Sequence, residues 1–599
     1  MSIPLGVLSL YAQIESNPTC GYVPDFCDLN LEIERRRLNL DREFYDTAAQ
    51  LLADRNSDIY GFGTISNTYI DVLEISKRLK NLRPEVDIIF GGAQASITDV
   101  RTLEVCPFVD IVVRGEAEYS LLELLGTMRD GGDFEAVGGI TWRDRTGAIV
   151  RNAPAPLIED LDELPLPKYE LYSEIIKSYS GTRESNMEFV NGIPIDVGRG
   201  CPFSCTFCVT NDYFVRAFRL KSQDRILEEV RYLSEHFGAT LFHFEHDMFT
   251  VNRKKVMQFC KRLAEEKMDI SWNCSARVDT VDEELLGAMA AVGCKTIFFG
   301  LESASQKVQK SIKKNLKLKS MNSTLDLVRE AGIEPILSFI IGFPDEDRQD
   351  LQATMDFFLK QAFSNTIANI GILVPSPGTP ITIEHSDKLN FDLFYSEATA
   401  PLVHEQDVGF MAQHPDLFSD CFYIETEIER DLHKFVLLIV DQLQDFRWSI
   451  WTLAADLSIP FALFDLWKIW HAGSLPSSRW YLRGDEVTDT FSRFLKSSLV
   501  RESIRAPWYG DVLEYEERMV RLRNSIREPV AAGTPKDDKG STMLTLDFNM
   551  LKLFGTFKDN LGSSPADLRV DKEPTTHLIV EDGPQLTVLS FPSFGKGAA

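Results

Sequence analysis

The chain has little of what several functional classes require. Its 63 Lys and Arg are outnumbered by 90 Asp and Glu, giving a net charge of −27. A nucleic-acid partner needs clustered cations against phosphate, so none is expected, and an anionic membrane surface would repel the chain. Long apolar runs are also missing. The most apolar late window, WTLAADLSIPFALFDLWKIW (451–470), is broken by Asp456, Pro460, Asp465 and Lys468, so no stable membrane insertion is expected. The amino-terminal MSIPLGVLSLYAQIE has no basic stretch and no small-residue cleavage site. It reads as a buried first strand rather than a secretory leader. Histidine is absent from residues 1–130. The ten cysteines do not form the dense framework of a small secreted protein, because seven are scattered and three are clustered. A reducing, cytoplasmic compartment fits that usage.

At 599 residues the chain is too long for a single core, and about 100–200 residues per domain predicts three or four domains. Residues 1–135 alternate short apolar runs with helical spacing. Strands are expected at 3–12, 58–66, 87–96 and 110–116, with amphipathic segments between them, which is the pattern of a doubly wound parallel sheet. Several of these runs end in Gly beside Ser, Thr or Glu, where small residues let a bulky ligand approach the backbone at the strand carboxyl ends. Residues 136–190 read as a hairpin around Arg145-Thr146-Gly147 followed by a Pro-rich connector.

A second α/β series occupies 191–384, with strands expected at 193–200, 240–249, 270–278, 295–303, 334–344 and 367–380. The helix between the first two carries Gly238 as its carboxyl-terminal stop. Repeated βα units imply a full or partial parallel barrel whose site lies at the strand carboxyl ends. From 385 to 525 the texture is helical and holds six of the eight tryptophans; 526–599 reads as a linker and a short strand-forming tail.

The chemistry is concentrated in VGRGCPFSCTFCVTND (197–212). Cys201, Cys205 and Cys208 are separated by three and then two intervening residues in a loop rich in Gly and Pro. Three thiolates can hold one face of an iron–sulfur cubane and leave the fourth iron open for chemistry. A zinc site completed by a distant Cys or His, or three packing cysteines, are the bland alternatives.

CPFSCTFC resembles the CxxxCxΦC signature of radical S-adenosylmethionine (SAM) enzymes, with Phe207 in the aromatic position. The resemblance implies a 4Fe–4S cluster on Cys201, Cys205 and Cys208, with SAM chelating the fourth iron. It extends over about residues 190–380. HFEHDMFT (243–250) is similar to the segment near the SAM amino group, which implies roles for Glu245 and Asp247. NCSARVD (273–279) implies SAM contacts from Asn273, Ser275 and Arg277, the last as a carboxylate partner, and FFGLES (298–303) implies that Glu302 meets the ribose. IIGFPDED (340–347) and PSPGTP (375–380) match late-barrel segments.

Residues 55–170 resemble the cobalamin-binding domain that precedes the barrel in one radical SAM subfamily. The implied cobalamin contacts are Thr64, Ser66, Gly91, Gly92, Gln94, Ser96, Gly115 and Glu116. The cobalt-ligating DxHxxG motif is absent, and Gln94 in GGAQAS stands where relatives often carry His. Bound cobalamin would therefore have no His below it from this domain. The fold implied is α/β: an N-terminal Rossmann-like cobalamin-binding domain, a partial (β/α) radical SAM barrel and a mainly helical C-terminal domain. The activity implied is radical C-methylation of an unactivated carbon on a natural-product or peptide substrate, through a 5′-deoxyadenosyl radical and methylcobalamin. An external electron donor such as flavodoxin or ferredoxin would be needed. Relatives with the same two domains also perform cyclisation, rearrangement and oxidation, and a non-catalytic cobalamin or redox sensor is a third reading. Substrate choice is expected in 385–525.

Overall fold

A computed structural model describes residues 3–180, 192–364, 366–393, 404–454, 456–471, 485–527, 541–546, 550, 553–554, 575–582 and 585–592. The linker expected at the head of 526–599 lies mostly outside these residues. Two compact units emerge. The first contains residues 1–301, 306–336 and 373–425, and the second 302–305, 337–372 and 426–599.

The first unit opens with helix α1 (Leu5–Glu15), which buries Leu8, Ser9, Ala12 and Gln13 at helical spacing. Residues 3–12 were expected as a strand. An apolar run of that length has no decisive period, and Leu, Ala, Gln and Glu after Pro4, with few β-branched residues, favour the helix. Helix α2 (Phe44–Ala53), strand β1 (Ile59–Gly63), helix α3 (Tyr69–Leu82), strand β2 (Asp87–Gly91), strand β3 (Ile111–Val113) and helix α4 (Glu118–Asp130) follow. β1, β2 and β3 pair in parallel. Strands β4 (Ile140–Arg143) and β5 (Ile149–Arg151) then extend the sheet antiparallel, giving the order β1-β2-β3-β4-β5. Their turn is organised by the Asp144 carboxylate, which accepts from the Thr146 and Ala148 amides at 2.8 and 2.9 Å.

Residues 404–425 fold with this sheet. Met411, Leu417, Phe418 and Phe422 join Tyr45, Tyr69 and Phe90 in one buried cluster, and the Phe418 ring lies 5.8 Å from that of Tyr69. The short strand Leu389–Phe391 pairs antiparallel with Phe422–Ile424. The stretch 385–425, read from texture as the head of the helical domain, thus includes a strand pair and belongs to the first unit.

The second α/β series begins with β6 (Ile193–Asp196) and continues through α5 (Gln223–Phe237), β7 (Leu241–Glu245), α6 (Arg253–Glu266), β8 (Ser271–Ala276), α7 (Glu283–Ala291) and β9 (Cys294–Glu302). β6, β7, β8 and β9 lie side by side in parallel. α5 is capped by the Ser222 hydroxyl, which accepts from the Arg225 amide at 3.1 Å, and it stops at Gly238 with φ +72°. Phe242, Phe244, Trp272 and Cys274 alternate outward into an aromatic layer, where Phe244 stacks on Trp272 at 4.9 Å. That alternation leaves His243, Glu245, Asn273 and Ser275 on the opposite face.

The second unit takes in most of strand β10 (Glu334–Ile341), helix α8 (Arg348–Phe363) and strand β11 (Ile367–Ile372). The long helix α9 (Arg430–Leu453) and helix α10 (Tyr509–Arg527) follow. α9 kinks where Phe446 leaves helical geometry. The Glu516 carboxylate of α10 takes the Trp448 and Ser449 amides near the kink, at 2.7 and 3.0 Å. At the tail, Ser541–Leu546, Thr575–Asp582 and Gln585–Pro592 form a three-stranded antiparallel sheet. Among the described residues no helix is long and apolar enough to cross a membrane.

Candidate functional site

The cysteine loop is an excursion tied at its base. Gly198–Arg199 pairs antiparallel with Arg219–Leu220. A Cβ on Gly200, at φ +82°, would sit 1.9 Å from the Ala217 carbonyl oxygen, so only glycine fits that crossing. Inside the loop the Cys205 carbonyl accepts from Asn211 Nδ2 at 2.9 Å and from the Cys208 amide at 3.3 Å. The Thr206 amide donates to the Ile312 carbonyl at 3.0 Å. Cys201 and Cys205 are buried and Cys208 is half-buried. Burial, with smaller contributions from Cys208, Asp247 and Cys205, pushes the Cys201 thiol up to about 11. Three thiolates this close need cationic partners to coexist. Among the described residues no group of three or more His, Cys, Asp or Glu converges on a single-ion site.

Asp196, Glu245, Asp247 and Ser275, at or just beyond the carboxyl ends of their strands, all line a cavity of about 1030 Å³. Thr210 donates to Asp247 at 3.3 Å. One residue pair deeper, Asn273 is buried and its Oδ1 is bonded to His243 Nδ1, while its Nδ2 has no partner. His243 Nε2 lies 3.4 Å from Glu245. Burial opposes a charge on His243, but Glu245 and Asn273 outweigh it and the ring titrates above its ordinary value. Arg277 is clamped by Asp279 and by the Lys314 carbonyl at 2.9 Å, so only Nη1 remains for a ligand. Phe207 is half-buried in the cysteine loop. Glu302 is buried at the end of β9 with φ +64°, a left-handed conformation that a non-glycine residue adopts only when its surroundings impose it.

The same cavity reaches the sheet of the N-terminal domain, where Gly61, Gly63, Gly91, Gly92 and Gly115 form its floor. Ideal Cβ atoms on Gly61 and Gly115 would meet nothing within 4 Å, so both open onto empty space. A Cβ on Gly92, at φ +92°, would lie 2.6 Å from the Thr64 carbonyl oxygen. A floor without side chains fits the flat face or tail of a large cofactor.

Of the residues expected to contact cobalamin, Gly91, Gly92, Gly115 and Glu116 line the cavity. Thr64 instead bonds the Gly91 carbonyl at 2.7 Å and the Ala95 amide at 2.9 Å, and Ser96 accepts from the Gly115 amide at 3.0 Å. Gln94 is buried with its Nε2 on the Leu417 carbonyl at 2.7 Å, and Ser66 sits half-buried in the turn after β1. These side chains brace the loops that shape the floor. Sequence reasoning missed His243, Phe203, Arg199 and Tyr213. The inward parity of His243 with Glu245 on β7 was a usable signal, whereas the partners of the others are distant in sequence.

The family model of the radical SAM superfamily matches residues 195–358, and that of the B12 binding domain matches residues 4–125. Over 338 residues the chain is 32% identical to an uncharacterized methyltransferase of Pyrococcus horikoshii, an alignment covering 56% of this chain and 71% of that one. The chain is a radical SAM enzyme with a B12-binding domain. As such it uses a 4Fe–4S cluster, SAM and cobalamin. It is also 25% identical over 368 residues to the anaerobic magnesium-protoporphyrin IX monomethyl ester cyclase of Rubrivivax gelatinosus, covering 60% of this chain and 64% of that relative. Among solved structures, the cobalamin-dependent SAM radical enzyme OxsB with aqua-cobalamin bound superposes with a TM-score of 0.61. That match covers 94% of this chain and 82% of OxsB at 15% identity, a likeness of fold.

Proposed function

We propose that this radical SAM enzyme methylates an unactivated carbon of a small-molecule or peptide substrate. The observation that carries this reading is the single cavity of about 1030 Å³, floored by the glycines of the B12-binding domain and walled by Glu245, Asp247 and Ser275 of the radical SAM strands. Bound together there, the cofactors supply a hydrogen-abstracting 5′-deoxyadenosyl radical and a transferable methyl group. The overall balance takes one substrate C–H, two SAM and two electrons. It yields one C–CH₃, 5′-deoxyadenosine, methionine and S-adenosylhomocysteine. An external reductant such as flavodoxin or ferredoxin would supply the electrons.

The chain's own groups bind and orient. Glu245 and Asp247 offer carboxylate acceptors for an ammonium or ribose hydroxyl, and the free Nη1 of Arg277 and Nδ2 of Asn273 offer donors. Cys201, Cys205 and Cys208 hold the cluster.

The similarity to a magnesium-protoporphyrin ester cyclase supports a second reading, radical ring closure without methyl transfer. The two part on one experiment. Anaerobically reconstituted enzyme is incubated with reductant, methyl-deuterated SAM and an extract of its source cells, followed by mass spectrometry. Methylation predicts a product carrying the labelled methyl, absent with Cys201→Ala. A substrate that changes mass by loss of hydrogen, with deoxyadenosine formed and no label incorporated, supports cyclisation.

A further inference from the structure

One turn of the B12-binding domain holds the cysteine loop at both of its ends. The turn is Gly115–Glu118, between β3 and the start of α4. Upstream of the cysteines, Arg199 stands two residues before Cys201. It donates from Nη1 to Glu116 at 3.1 Å, from Nη2 to Glu118 at 2.6 Å and from Nε to Asp196 at 3.2 Å. Downstream, Tyr213 stands five residues after Cys208 and donates its hydroxyl to the Gly115 carbonyl at 2.8 Å. Arg219, across the base of the loop, closes the set by donating to the other Glu116 oxygen at 2.8 Å and to the Ile158 carbonyl at 2.6 Å. The side chain of Glu116 is 2% exposed and that of Arg199 13%.

These bonds account for Glu116 completely. One carboxylate oxygen takes Arg199, and the other takes Arg219 and the Ile158 amide. Burial alone would raise this carboxyl, but Arg219, the Ile158 amide and Arg199 bring it below its ordinary value. The residue expected to touch cobalamin is therefore spent on joining two loops. Gly115 is where the two sites meet. Its peptide is at φ +72°, a ligand can press directly on it from the open cavity side, and its carbonyl is the acceptor that Tyr213 uses.

We infer that Arg199, Tyr213, Glu116 and Glu118 form a clasp that couples the two cofactor sites, so that cobalamin against Gly115 orders the cysteine loop and an assembled cluster orders the cobalamin floor. The inference rests on the cavity being the cobalamin site. Ordering paid once by the first cofactor is not paid again by the second, and such coupling is reciprocal between sites. All four also line the cavity; their part in the clasp is positional, through the loops they tie together.

The test is an anaerobic absorbance titration with hydroxocobalamin, on protein with the cluster reconstituted and on protein stripped of iron by a chelator. The clasp predicts binding about fivefold or more tighter with the cluster present. In Tyr213→Phe and Glu118→Gln that ratio should fall toward one while circular dichroism and melting temperature stay close to those of the parent. Iron loading in the parent should rise when cobalamin is supplied, and that gain should shrink in both variants. Tight binding with a ratio of one in the parent overturns the coupling. A parental ratio in the well-folded Tyr213→Phe variant overturns the clasp as its route. Absence of binding to either form overturns the cavity assignment itself, and the clasp with it.

Discussion

The guanidinium of Arg277 lies 3.9 Å from the centre of the Phe203 ring. Arg277 follows β8 and is fixed by Asp279 and the Lys314 carbonyl, while Phe203 stands between Cys201 and Cys205. A clamped cation on an aromatic face is a rigid support for a loop with no regular structure. Such a contact contributes about 1–2 kcal/mol when partly desolvated. Phe203→Ala should therefore lower the iron bound per chain after reconstitution and broaden the cluster's absorbance, while Phe203→Tyr keeps both. Iron and sulfide analysis checks this, and full loading in the alanine variant would show that the ring does not support the cluster loop.

Gly61 gives a cleaner probe of the cofactor floor than any of its polar neighbours. A Cβ there meets no atom within 4 Å and the residue has no left-handed φ, so a side chain costs the fold little. Gly61→Val should leave the melting temperature nearly unchanged and weaken hydroxocobalamin binding about tenfold or more by filling the space. Unchanged affinity would place cobalamin elsewhere.

Gln94 should behave in the opposite way. Its buried amide holds the Leu417 carbonyl, so Gln94→Ala strands that acceptor and should cost about 1–3 kcal/mol of stability. Cobalamin affinity measured well below the melting transition should stay within about twofold. A large affinity loss with unchanged stability would return Gln94 to the cofactor.

Glu516 predicts a pH dependence. Burial pushes its carboxyl up to about 7, despite the Ser449 hydroxyl and the Trp448 and Ser449 amides that bond it. The folded state then holds the proton more tightly than the unfolded chain. The stability this contributes is complete below the ordinary value of 4.5 and is lost as pH rises through about 7. Between pH 5 and 8 the advantage of the parent over Glu516→Gln should shrink by on the order of 3 kcal/mol. Denaturant titrations at the two pH values measure it, and a constant difference would contradict the assignment.

Much of this architecture was legible in the sequence because it is written in local patterns. Glycine-ended apolar runs located β1, β2 and β3, and the repeated βα pattern placed strands over 240–249 and 270–278, where β7 and β8 lie. The spacing of Cys201, Cys205 and Cys208 marked the loop proposed to hold the cluster. What was not legible depended on distant partners. Gln94 meets a carbonyl 323 residues away, and Glu116 is claimed by two arginines 83 and 103 residues on. Residue type allowed either polar side chain to face a cofactor; the fold ties Gln94 to Leu417, and it ties the carboxylate of the cavity-lining Glu116 to Arg199 and Arg219. The first ten residues misled for another reason, since an apolar run without alternation suits a buried helix and a buried strand equally.

The relay of a methyl group from SAM through cobalamin can be followed without knowledge of the substrate. Enzyme loaded with cobalamin is reduced anaerobically and mixed with methyl-deuterated SAM, and the corrinoid and nucleoside products are analysed by mass spectrometry. The deuterated methyl group should appear on the bound cobalamin with an equal amount of S-adenosylhomocysteine, and Gly61→Val should lower both in step with its weaker cobalamin binding. SAM consumed to 5′-deoxyadenosine alone, with the cobalamin unlabelled, would contradict the relay.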